Sequence, residues 1–171
     1  MSKSERISRL VGELATQDPA METARPRAEV SDISQHPCYR GFFRCWNEQR
    51  YYEAHDVLEH LWLETTSDDW AYFKGLIQAA GAFVHLQKHF EHPEHHKHGR
   101  RLAPALRLLR LAGKNLTPFA PKHHAFDVAS LLQLLHENAA AIADSEQTRN
   151  PWTPDTAPRL SLSDTVPHKP T

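Results

Sequence analysis

A chain of 171 residues is the size of one domain with tails, long enough to bury a core without disulfide or metal staples. Its 20 Lys and Arg balance 21 Asp and Glu to a formal net charge of -1, which excludes a global field for nucleic acid or an anionic membrane, and neither partner is expected. Cys38 and Cys45 are seven residues apart, roughly 10 Å along a helix and beyond the roughly 7 Å that a disulfide spans between Cα atoms. Two free thiols, with no apolar run of signal-peptide or membrane-spanning length, point to a cytoplasmic protein.

In chain order, Ile7, Leu10, Val11 and Leu14 mark one face of a short amphipathic helix, able to dock on the body or on another subunit, so a homo-oligomer is open. Residues 16–35, with Pro19 and Pro26, read as a flexible linker, which makes 1–35 an N-terminal extension. From 36 to 145 the apolar spacing is three and four rather than two, so the body is all-α, with no strand pattern. The spacing predicts helices over 37–47, with Pro37 in its first turn, 51–64, and 69–90, with "TTSDD" supplying the N-cap. The third helix is apolar or small all round, with Gly75, Ala79, Ala80, Gly81 and Ala82, and is expected to be central. A fourth spans 95–113, with Pro104 kinking it or marking its start and Gly113 as C-cap, and a fifth spans 124–144. Residues 146–171 read as a Pro-rich extended tail, with Trp152 and Leu160 as its two pins.

The stretch "YYEAHDVLEHLW", residues 51–62, holds the leading site. His55 and Glu59 are four apart, about 40° from each other on a helix, so an imidazole and a carboxylate there can share a divalent metal or a proton. Trp62 follows on the same side, whereas Glu53, Asp56 and His60 are assigned to another side. His55 and His60 are five apart and diverge by about 140°, which rules out the HExxH zinc-protease pattern and its inverted form. On the third helix Gln78 and His85 are seven apart on one face, with His89 a turn further. Across an antiparallel helix pair they would complete a His55, Glu59, His85 and Gln78 ligand set suited to zinc, manganese or iron. The alternative is a satisfied hydrogen-bonded pair that orients one helix on the next.

"FRCWNEQRYYEAHDVLEHLW" followed by "YFKGLIQAAGAFVHL" resembles the domain of unknown function 309 family of small all-helical proteins. The resemblance carries Phe43, Asn47, Tyr51, Glu53, Ala54, His55, Asp56, Leu58, Glu59 and Trp62, then Gly75, Leu76, Ile77, Gln78, Ala80 and His85. Further on, "HGRRLAPAL" and "PKHHAFDV" resemble later family segments, with Arg100 where Ala is usual and Ala125 where Gly is usual. The resemblance implies a compact orthogonal bundle of about five helices. Such proteins are sometimes labelled predicted metal-dependent hydrolases, which makes Glu53, His55 and Glu59 catalytic candidates and leaves Trp62, Gly75 and Asp127 as structural ones.

Between 85 and 98, six residues are histidine: His85, His89, His92, His95, His96 and His98. Such a tract holds metal loosely, and Pro93 breaks the spacing that would fix ligands, so a solvated loop is the plainer account. Arg100, Arg107, Arg110 and Lys114 form a basic stripe without interleaved aromatics, expected to be a solvated face. Two functions remain: a metal-dependent hydrolase acting on a small molecule, or a non-catalytic helical module that binds a protein partner and whose His/Glu/Gln cluster is structural.

Overall fold

The computed structural model describes residues 32–163 together with Glu5 and Arg9. The expected N-terminal amphipathic helix and most of the linker lie outside them. The described residues form an all-α bundle of five helices: α1 Pro37–Asn47, α2 Tyr51–Glu64, α3 Asp69–Glu91, α4 Leu102–Leu116 and α5 Val128–Asp144. None is long and apolar enough to cross a membrane. Pro37 sits in the first turn of α1, and His36 caps that helix by accepting the Cys38 N–H on Nδ1 at 3.1 Å.

The core begins on α1, where Tyr39, Phe42, Phe43 and Trp46 are buried on one stripe. Trp46 packs its ring on Phe42, Tyr51 and Phe83, with centroids 6.0, 5.1 and 4.6 Å away, joining α1 to α2 and α3. The central helix is α3, buried on most sides as its composition requires, with α2 against one flank and α4 against the other. Gly75 allows the close approach of α4: a Cβ there would stand 2.7 Å from Leu116 Cγ.

Three boundaries differ from the sequence expectation. The fourth helix starts at Leu102 after a 3-10 turn at His98–Arg100, because Pro104 lacks an N–H to donate and fits only the first turn. It continues to Leu116, so Gly113 is interior and not a cap. The fifth helix starts at Val128, because residues 122–127 make a small antiparallel hairpin, β1 Lys122–His123 and β2 Phe126–Asp127, with His123 opposite Phe126. Its two turn residues, His124 and Ala125, have φ of 45° and 61°, the sign that the tight primed hairpin turn requires and that a helix forbids. Asp127 then caps α5 by accepting the Ser130 N–H at 3.0 Å. The N-cap of α3, Asp68, makes no side-chain capping bond, and the neighbouring Asp69 turns to the hairpin instead.

Beyond α5 the chain is extended and crosses the body as a strap. Asn150 donates to the Leu86 carbonyl at 2.8 Å, and Trp152 is buried with its Nε1–H on the Tyr51 hydroxyl at 3.1 Å. Trp46 donates to the Pro158 carbonyl at 2.9 Å. Asn47 clamps Leu160 from both sides, donating to its carbonyl at 2.6 Å and accepting its N–H at 2.8 Å. An isolated bridge between Phe126 and Leu162 fastens the strap to the hairpin.

Both cysteines are free and buried on α1, and burial, with lesser help from the Glu64 charge at Cys38, pushes each thiol up to about 12. At pH 8 the reactive thiolate is therefore scarce and shielded. A thiol-reactive chromophore is expected to titrate neither cysteine in the folded protein at pH 8 and both after denaturation; rapid reaction of the folded chain would contradict this packing.

Candidate functional site

The polar residues of α2 sort by geometry into an inner and an outer set. His55 Nδ1 lies 3.2 Å from Asp56 Oδ1, and one ligand atom from each of His55, Asp56 and Glu59 falls within 4.8 Å of the others. Asp56 therefore joins the pair, against the expectation that placed it on another side. Asp56 and Glu59 are three apart, about 60° around the helix, so their carboxylates converge. Asp56 is 7% exposed, one of the few buried polar residues, and the His55 side chain is 33% exposed, so the cluster sits at the core border with one side open. His60 faces outward, 3.8 Å from Glu64, and Glu53 is not part of the group of three.

Gln78, Gly81 and His85 share a face of α3, and His55 reaches that face at Gly81, whose added Cβ would stand 4.0 Å from His55 Cδ2. The two polar side chains on either side of Gly81 are nevertheless engaged by α4 and by Arg101 at its N-cap. Gln78 Oε1 accepts from Asn115 at 2.7 Å, and Arg101 meets His85 Nδ1 at 3.1 Å. Burial, reinforced by the Arg101 and Arg107 charges, holds His85 below the ordinary histidine value, so its ring is neutral and accepts the guanidinium hydrogen bond. The structure thus brings His55, Asp56 and Glu59 together and ties Gln78 to α4 and His85 to the residue that precedes it.

Trp62, one turn beyond Glu59, tilts onto Trp70 at 5.3 Å, and its buried indole N–H has no hydrogen-bond partner. His89 lies against Asn150, while His95 stacks on His96 and on His98 in the loop. A groove of about 440 Å³ between α4 and α5, lined by Leu109, Leu132, Leu135 and His136 among others, contains none of these ligating residues.

A second group escaped the sequence reading. Asp69, at the start of α3, receives His123 on Oδ1 and His124 on Oδ2, each at 2.7 Å. Burial by itself would raise the Asp69 carboxyl, but the two histidine hydrogen bonds outweigh it and hold the group below the ordinary carboxylate value. The adjacent histidines of "PKHHAFD" were the available signal, but their carboxylate partner lies 54 positions away.

No curated protein and no solved structure matches the chain. Residues 39–92, which run from α1 to the end of α3 and include the His55, Asp56 and Glu59 cluster, match the family described as Domain of unknown function (DUF309). The match stops short of "HGRRLAPAL" and "PKHHAFDV". Over α1 to α3 the chain is thus similar to the DUF309 family.

Proposed function

We propose that the chain is a divalent-metal-dependent hydrolase of a small molecule, with His55, Asp56 and Glu59 as the ligands. The observation that carries this is the convergence of one imidazole and two carboxylates within 4.8 Å of one another at a half-open edge of the core. The donor set fits: one nitrogen and two oxygens suit zinc, manganese or iron better than a soft metal. The 3.2 Å between His55 Nδ1 and Asp56 Oδ1 is close to the separation of about 3.3 Å between two ligands on a tetrahedral zinc with bonds of about 2.0–2.1 Å. When bound, such a cation supplies a water of lowered pKa and offsets charge developing on the substrate. Before a cation enters, the contact between His55 Nδ1 and Asp56 Oδ1 holds the imidazole and the carboxylate side by side.

Metal content and turnover of the untagged protein test this, with p-nitrophenyl acetate and bis-p-nitrophenyl phosphate as probes. Metal-dependent turnover lost by more than about a hundredfold in both His55→Ala and Glu59→Gln is the expected result, since each removes a ligand rather than an outer partner. Turnover that survives His55→Ala, or that chelation leaves unchanged, sinks it. The second reading, a helical module with a structural polar cluster, is favoured by the Gln78–Asn115 bond between α3 and α4 and the His85–Arg101 bond at the start of α4. Its signature is a His55→Ala chain that melts earlier while wild type holds no metal on α2.

A further inference from the structure

The hairpin at 122–127 carries ligating side chains that the α2 cluster does not share. We propose that Asp69, His123 and His124 bind a single divalent cation of the zinc class, through one Asp69 carboxylate oxygen and the Nε2 atom of each histidine. Neighbouring residues of a strand ordinarily point to opposite faces. Here the left-handed backbone at His124 and Ala125 folds the second imidazole back, so that both rings, 4.0 Å apart, address one carboxylate.

The surroundings hold that arrangement in place. Tyr39 donates its hydroxyl to the His124 carbonyl at 3.2 Å and lies 2.7 Å from the Tyr72 hydroxyl, which therefore donates to Tyr39. The His123 ring packs between Tyr72 and Phe119, at 4.7 and 4.8 Å, and the His124 ring stacks over Phe73. Apolar rings thus back the site on one side. On the other, the side chains of Asp69, His123 and His124 remain 21%, 28% and 23% exposed, which gives a cation a route in and a coordination position for solvent. Three protein ligands with a fourth position open is the arrangement of a reactive rather than a purely structural zinc site.

The distances allow it. One ligand atom from each residue lies within 4.8 Å of the others, whereas a tetrahedral cation with bonds of about 2.0–2.1 Å needs them about 3.3 Å apart: the histidine now 2.7 Å from the ligating oxygen opens by roughly half an ångström, and the other turns from its own oxygen toward that one. Both carboxylate oxygens accept, so each Nε2 carries a hydrogen; as the cation binds, that proton leaves to solvent and Nδ1 carries the ring hydrogen, so each imidazole stays neutral. The site shares no residue with the α2 cluster, and His123 and His124 lie outside the family match, so it stands or falls separately.

Zinc titration of the untagged full chain tests it, in a background where His55, His92, His95, His96 and His98 are replaced by Asn to remove competing sites. The decisive variant is His124→Asn, because Asn tolerates positive φ and its amide still donates to Asp69, keeping a hydrogen-bonded clamp while removing the ligand nitrogen. The background is expected to bind one equivalent of zinc, and cobalt in its place to give the intense visible bands of a four-coordinate ion. His124→Asn and Asp69→Asn are each expected to weaken zinc binding by about a hundredfold or more, beyond the loss an outer partner causes. No binding by the background, or binding that both variants leave unchanged, overturns the site. Imidazole nitrogen NMR of the wild-type chain decides the matter if the background does not fold. Zinc-induced shifts at Nε2 of His123 and His124 support the site, and shifts confined to His55 or the tract overturn it.

Discussion

Trp46→Ala is expected to lower the unfolding free energy by about 3–5 kcal/mol, the range for emptying a buried aromatic site. Trp46 is fully buried, and the three rings around it come from α1, α2 and α3, so no single helix can move in to fill the space. The same substitution removes the indole N–H from the Pro158 carbonyl and so weakens the strap. Trp46→Phe separates the two contributions: it keeps most of the packing and loses the hydrogen bond, with an expected cost of about 1–2 kcal/mol. Urea denaturation measures both. A loss below about 1 kcal/mol in the alanine variant would mean that these helices do not meet around Trp46.

The second large effect is a contrast of sign. Alanine normally stabilises a helix interior by about 1 kcal/mol over glycine. Gly113→Ala is expected to show that gain, because nothing lies within 4 Å of its added Cβ. Gly75→Ala is expected to cost about 1–3 kcal/mol instead, since its Cβ would collide with Leu116 at Cγ and Cδ2, 2.7 and 2.9 Å away, and Leu116 is fully buried. Midpoints of thermal unfolding moving in opposite directions confirm the close α3–α4 packing; both rising would refute it.

Spacing alone located α1, α2 and α3, because each has a wide apolar face or is apolar all round, and helical periodicity is strongest there. It missed the hairpin because two-residue strands have no period to detect, and because His124 and Ala125 adopt a backbone that glycine usually signals. It misplaced Gly113, whose residue type suits a cap but whose neighbours continue the helix to Leu116.

The site was legible to a similar depth. His55 and Glu59 follow from a separation of four, and Gln78 and His85 share a face of α3 by a separation of seven. What stripped those two from the cluster was Asn115 on α4 and Arg101 just before it, partners that no local spacing can reveal. The Asp69, His123 and His124 group depends wholly on a long-range contact between the start of α3 and a turn whose conformation the sequence disguises. Asn47, carried by the resemblance without a stated role, proves to be the residue that grips the strap at Leu160.

The order of the chain gives α3 a vulnerable interval during synthesis. It leaves the ribosome ahead of α4 and of the strap, so the side that Leu106, Leu109 and Leu116 later cover is bare while those residues are still being made. Trp46 and Tyr51 likewise wait for Pro158 and Trp152 to arrive. Residues 39–92 thus match a family model yet leave one side of α3 for later residues to cover: a nascent chain halted at 92 displays its greasiest helix to whatever binds unfinished proteins.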